Sequence, residues 1–156
     1  MTQVAIGKAV PEFSAPATGS KTVSLSGLKG HPVVLYFYPK DDTPGCTMEG
    51  ADFRDQYPAF RKLKAEIFGV SRDSVASHEA FKTKLKLPFD LLSDEKEALC
   101  EVFDVIRMKN MYGKHVRGIE RSTFLIDADG RLRREWRKVK VEGHVDEVLD
   151  AIKQLA

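Results

Sequence analysis

The chain has 156 residues, 42% of them hydrophobic and 31% charged, with a formal net charge of +2. That is enough apolar material for one compact domain with its own core, expected to span residues 1–156. The near balance of acids and bases gives no reason to expect nucleic acid or an anionic membrane as partner, and no apolar run approaches the roughly 20 residues that cross a bilayer.

Met1 to Val10 lacks the charged-then-apolar layout of a signal peptide, and two cysteines make no disulfide framework, so a cytoplasmic protein is expected. Pro11 to Gly30 reads as an N-terminal extension. Val33-Val34-Leu35-Tyr36-Phe37-Tyr38 is continuously apolar and rich in β-formers, as a strand buried on both faces should be. From Cys46 the period becomes helical: Phe53, Tyr57, Phe60 and Leu63 share a face, with a kink expected at Pro58. Ile67 to Val70 is a second strand. Ser77 is placed to cap a helix reaching about Leu85, which Pro88 ends, and Phe89 to Leu92 is a short strand.

Asp94-Glu95-Lys96-Glu97 has capping-box spacing before a helix through Phe103. Its apolar stripe is Leu99, Val102, Phe103 and Ile106; Cys100 sits about a quarter-turn off it and is expected at the boundary, partly exposed. Ser122 to Ile126 is a strand, Asp127 to Gly130 a turn, and Leu132 to Val139 the returning strand. Val145, Val148, Leu149, Ile152 and Leu155 form the stripe of a last helix. The order βαβαβαββα predicts an α/β thioredoxin-like fold, a central mixed β-sheet flanked by helices.

One loop concentrates the chemistry: Phe37 to Thr47, "FYPKDDTPGCT". Cys46 falls in the first turn of the helix after the central strand. There, unpaired backbone N–H groups and the helix dipole favour an anion such as a thiolate. Thr43 stands three residues earlier, where a dithiol exchanger would carry its other cysteine, so disulfide exchange within this loop is unavailable. Lys40, Asp41, Asp42 and Thr43 are polar, so the cysteine is not expected to be buried, and the two aspartates are expected as surface charges.

The loop resembles the active-site loop of the peroxiredoxins, in the bacterioferritin comigratory protein, or PrxQ, group. The similarity continues through "VSRDS", "LLSDEKEAL" and "KNMYGKHVRGIERSTFLIDADGRL" from Lys109, and so spans nearly the whole chain. The resemblance implies a peroxidase with Cys46 as peroxidatic nucleophile, Thr43 as its hydroxyl partner, Pro39 shielding the pocket and Arg121 as the guanidinium. It also implies hydrogen peroxide and organic hydroperoxides as substrates. Thioredoxin, glutaredoxin or glutathione would be the reductant, and the protein a monomer working without metal, haem or flavin.

Thiolate formation alone would explain little of the rate. Lowering a free thiol from a pKa of about 8.5 to about 6 raises its ionised fraction roughly 30-fold, while a Brønsted slope of about 0.4–0.5 removes roughly tenfold in nucleophilicity. Most of the acceleration must come from donors aimed at the breaking O–O bond.

The sequence departs from its relatives at recycling. Many carry a resolving cysteine five residues after the peroxidatic one, where this chain has Ala51; others carry it in the following helix, but Val75 to Leu87 contains none. Cys100 is the other cysteine and the one candidate for resolution within the chain; a packing residue is the preferred reading, with an external thiol attacking a Cys46 sulfenic acid. His31, His78, His115 and His144 show no ligand-like spacing to either cysteine. "RLRREWRKVK" from Arg131 is expected as a solvated hairpin strand rather than a nucleic-acid patch.

Overall fold

The computed structural model describes residues 3–155; Met1, Thr2 and Ala156, the ends of the expected domain, lie outside the described residues. The chain opens with a hairpin, β1 (Ser14–Ala17) and β2 (Lys21–Ser24). Then β3 (Val33–Phe37), α1 (Pro44–Lys62), β4 (Glu66–Ser71), α2 (Val75–Leu85), β5 (Asp90–Ser93) and α3 (Ala98–Phe103) alternate. A second hairpin, β6 (Ile106–Met111) and β7 (Lys114–Ile119), precedes β8 (Ser122–Ile126), β9 (Leu132–Arg137) and α4 (His144–Lys153).

Seven strands form one mixed sheet in the order β2-β1-β5-β4-β3-β8-β9, and β6-β7 stands apart. Strand β3 runs parallel to β4 and antiparallel to β8, so it is hydrogen-bonded on both edges and has no exposed face. Its side chains alternate between two cores. Val33, Leu35 and Phe37 join Phe13, Leu99 and Phe103 under α3, while Val34, Tyr36 and Tyr38 join Phe53, Phe60, Phe81 and Val148 under α1, α2 and α4. This is the thioredoxin-like arrangement expected, with helices on both faces of a mixed sheet.

Several expectations change. Residues 11–30 are not a mere extension, because β1 pairs with β5 and widens the sheet. The β6-β7 hairpin falls where no element was expected, and Ile106 belongs to it rather than to the stripe of α3. Its turn has positive φ at both Tyr112 (53°) and Gly113 (77°), as a tight hairpin turn requires.

Helix α2 is capped by Ser74, whose side chain accepts from Ser77 N, and not by Ser77. It ends before Pro88, at a left-handed Lys86 with φ 56°. Asp94 does cap α3, accepting from the backbone of Leu99 and Cys100, but Glu97 does not reach back as a capping box would. Glu97 instead pairs with Arg117 and Arg72, and the Arg117 hydrogen bonds draw its pKa down to about 2. Helix α1 continues through Pro58 to Lys62. Strand β9 stops at Arg137, and Arg131 just before it and Arg133 and Arg134 along it are exposed as expected.

Candidate active site

The chain leaves β3 through Tyr38 and Pro39, turns at Asp42 in the left-handed region (φ 61°), and enters α1 at Thr43. Thr43 is the N-cap residue, extended at φ −103° and ψ 157°, and Pro44 fills the first helical position, where its missing N–H leaves no orphan donor. The Thr43 hydroxyl makes no cap bond; it donates to the Lys40 carbonyl at 2.8 Å. The first-turn amides, Cys46 among them, therefore lack the side-chain acceptor that an N-cap threonine usually supplies.

Cys46 is the third residue of α1 and is 2% exposed, which corrects the expectation of an unburied thiol. The flanking residues are polar, but the helix turns position 46 inward with Phe53 and Phe60, against Tyr36 and Tyr38 of the sheet. Arg121, between β7 and β8, reaches it from the other side. Its Nη2 donates to Cys46 Sγ at 3.4 Å and its Nη1 to Glu49 Oε1 at 2.6 Å. Gly45 permits this approach, since a Cβ there would lie 3.0 Å from Arg121 Nη2. Burial opposes the Arg121 charge, yet Glu49 and Cys46 beside it raise its pKa overall.

Glu49 was not singled out in the sequence. It lies one turn beyond Cys46 with its side chain fully buried, and burial raises its pKa to about 7 against the pull of Arg121. A signal existed: Cys46, Glu49, Gly50, Phe53 and Phe60 form the buried stripe of α1, and Glu49 is the ionisable carboxyl within it. Lys109 of β6 brings a further cation to this corner. Its ammonium donates to the Ile119 carbonyl, and burial, followed by the Arg121 charge, lowers its pKa.

Pro39 is half-buried at the start of the loop. Asp41 is not a surface charge. It is buried, accepting from Tyr38 Oη at 2.6 Å and from Ser77 Oγ and His78 Nδ1 at 2.8 Å each. Asp42 is exposed and pairs with Lys84. Asp41, Asp73 and His78 set three possible ligand atoms within 4.8 Å of one another. Those atoms hydrogen-bond within the group and to their neighbours, His78 Nε2 to the Leu92 carbonyl at 2.8 Å, so the cluster is a closed network rather than an open metal site.

The structure thus gathers Pro39, Thr43, Cys46 and Arg121 at one end of β3 and leaves Cys100 elsewhere. Cys100 is completely buried, not partly exposed, and belongs to the core on the opposite face of the sheet. Burial and the Asp94 carboxylate beside it push its thiol pKa far above the ordinary range.

A thioredoxin-like sheet presenting one thiol in the first turn of a helix, under a guanidinium, defines a cysteine-based redox protein. The chain belongs to the AhpC/TSA family, matching its profile over residues 6–135, and within it to the bacterioferritin comigratory protein and peroxiredoxin Q group. It is 52% identical over 153 residues to peroxiredoxin Bcp of Bacillus subtilis, covering 98% of each chain. A solved mutant of peroxiredoxin Q from Xylella fastidiosa superposes with a TM-score of 0.92 at 44% identity, covering 99% of this chain and 98% of that one. The bacterioferritin comigratory protein of Xanthomonas campestris, a solved protein described by its alkyl peroxide reduction activity, gives 0.88 at 51% identity over 94% and 98%.

Proposed function

We propose that Cys46 is the nucleophile of a thiol-dependent peroxidase acting on hydrogen peroxide and organic hydroperoxides, with an external thiol as reductant. The observation that carries this reading is the Arg121 guanidinium 3.4 Å from a cysteine sulfur in the first turn of α1. Full-length similarity to peroxiredoxins, one of them described by alkyl peroxide reduction, supports it.

In the first step the Cys46 thiolate attacks the nearer oxygen of ROOH in line with the O–O bond. The S–O bond forms as the O–O bond breaks. Sulfur gives up two electrons, and the departing oxygen takes a proton from solvent to leave as ROH or water. Arg121 holds positive charge beside both the sulfur and the developing alkoxide without losing its proton. The proton of the Thr43 hydroxyl is engaged by the Lys40 carbonyl, so its oxygen is disposed to accept the peroxide O–H. Pro39 shields the pocket, and the Cys46 backbone N–H is the further donor.

In the second step a thiol attacks the sulfenic acid and water leaves, giving a mixed disulfide. A second thiol then frees Cys46 and departs as the oxidised reductant. Thioredoxin, glutaredoxin and glutathione are the candidate donors, for a monomer working in the cytoplasm. Turnover of hydrogen peroxide and of an alkyl hydroperoxide, with each reductant supplied separately, tests the proposal. Consumption that stops after one equivalent with every reductant would leave a redox sensor in place of an enzyme.

A further inference from the structure

The loop that carries Thr43 is fastened on one side. Asp41, two residues before Thr43, accepts three hydrogen bonds: Tyr38 Oη on Oδ1, and Ser77 Oγ and His78 Nδ1 on Oδ2. Its backbone N–H donates to Asp73 Oδ2 at 2.9 Å, which also receives Ser71 Oγ at 2.6 Å. The neighbouring Asp42 adds an exposed pair to Lys84, also from α2. The Thr43 hydroxyl bonds within the loop, to the Lys40 carbonyl.

His78 decides the character of this fastening. It is completely buried in the first turns of α2, and each ring nitrogen faces an acceptor: the Asp41 carboxylate at 2.8 Å and the Leu92 carbonyl of β5 at 2.8 Å. A carbonyl oxygen accepts and cannot donate, so Nε2 carries a proton. Nδ1 meets the Asp41 carboxylate, which also holds bonds from Tyr38 and Ser77, so both ring nitrogens are engaged and the buried ring ties the loop to α2 and β5. Burial pushes the Asp41 carboxyl up, but the hydrogen bonds from His78 and Tyr38 leave it below the usual carboxylate range.

We propose that His78 is a positioning residue for peroxide reduction, holding Asp41 and thereby the Pro39–Thr43 loop in the arrangement that sets Thr43 against Cys46. The inference rests on Cys46 being the nucleophile. It predicts opposite consequences for the two half-reactions. Attack on peroxide needs the hydroxyl, the sulfur and the guanidinium held in register, and a displacement of about 1 Å can cost 10²-fold. Reduction of the sulfenic acid has another need: a thiol must reach the sulfur of Cys46, a residue only 2% exposed at the start of the helix that this loop leads into. A loosened fastening therefore harms the first step and does not harm the second.

The test measures the two steps apart in His78→Leu, His78→Asn and Ser77→Ala: stopped-flow reaction of the reduced protein with hydrogen peroxide, then reduction of the preformed sulfenic acid by 2-mercaptoethanol. His78→Leu should lose about 10²-fold in the peroxide step. His78→Asn, whose amide can still donate to Asp41, should recover about tenfold of that loss. Sulfenic acid reduction should hold its rate or quicken in each.

A folded His78→Leu within about threefold of wild type towards peroxide would overturn the proposal, as would parallel losses in both steps. If near-UV circular dichroism shows that His78→Leu does not fold, Ser77→Ala decides. It removes one donor to Asp41 and should slow the peroxide step severalfold while sparing the thiol step; no loss, or equal losses, would sink the idea. Turnover surviving in Cys46→Ser would instead overturn the assignment of the nucleophile, whatever the His78 variants do.

Discussion

Cys46 and Cys100 make a controlled comparison. Both are buried, both are the third residue of an α-helix, and they lie in the two cores on opposite faces of one sheet. What differs is the charge at the helix start. At α3 the Asp94 carboxylate accepts from the Leu99 and Cys100 amides, so an anion already occupies the first turn and a thiolate would be repelled. At α1 the Thr43 side chain turns away to Lys40, the first-turn amides lack that acceptor, and Arg121 approaches to 3.4 Å. A cysteine in a first helical turn is therefore not reactive by position alone; what already holds the amides decides.

The largest expected effect breaks the comparison outright. Cys46→Ser should abolish peroxide turnover while the circular dichroism spectrum stays that of the wild type, because serine fits the site but offers no thiolate. More than trace activity in the purified variant would move the chemistry elsewhere.

Next in size are the groups that Cys100 lacks. Arg121→Ala and Thr43→Val should each slow reaction with peroxide by about 10²-fold, since in the proposed mechanism each removes a group that acts on the breaking O–O bond. Alkylation of Cys46 by an uncharged reagent should slow far less. Equal losses in both reactions would mean that these residues act on ionisation rather than on the peroxide.

The sequence announced the long apolar elements and the loop between two of them, because burial on both faces leaves β3 a continuous hydrophobic run and α1 a clear stripe. It hid what depends on tertiary partners. The β6-β7 hairpin stands outside the main sheet, so Arg107 to Arg117 shows no core-facing alternation. Asp41 looked like a surface charge because its hydrogen-bond partners Ser77 and His78 lie on a helix some 36 residues on. Arg121 could be chosen among 25 Lys and Arg residues only through the family resemblance, because its position between two strands marks nothing by itself. Glu49 was legible, as a carboxyl within an apolar stripe.

Glu49 gives the comparison a pH dependence. Its carboxyl titrates near 7 in the fold against 4.5 ordinarily, burial being the main cause. The folded state thus binds this proton more tightly than the unfolded chain does. Its contribution to stability is complete below about pH 4.5 and is lost as the pH rises through about 7. The amount is on the order of 3 kcal/mol. In urea titrations at about pH 5 and about pH 8, the wild type should lose more stability than Glu49→Gln, which keeps the shape without titrating. Parallel pH dependences would show that Arg121 keeps Glu49 ionised throughout.

The smallest effect on activity is expected at Cys100. A disulfide to Cys46 would need Cα atoms within about 7 Å and sulfurs about 2 Å apart. The two side chains belong to different cores with the sheet between them, so one helix start would have to unwind and carry its cysteine around the sheet. At the α3 end that means losing the Asp94 cap and exposing Leu99 and Phe103, which are fully packed. Cys100→Ala should therefore keep peroxide turnover with a small thiol or glutaredoxin and lose about 1–2 kcal/mol of stability through the vacated core volume. After one equivalent of peroxide, Cys46 should be trapped as a sulfenic acid, and non-reducing mass spectrometry should find Cys100 still a thiol. A stoichiometric Cys46–Cys100 disulfide, together with lost turnover in Cys100→Ala, would make Cys100 the resolving residue and require that the sheet barrier be crossed in every cycle.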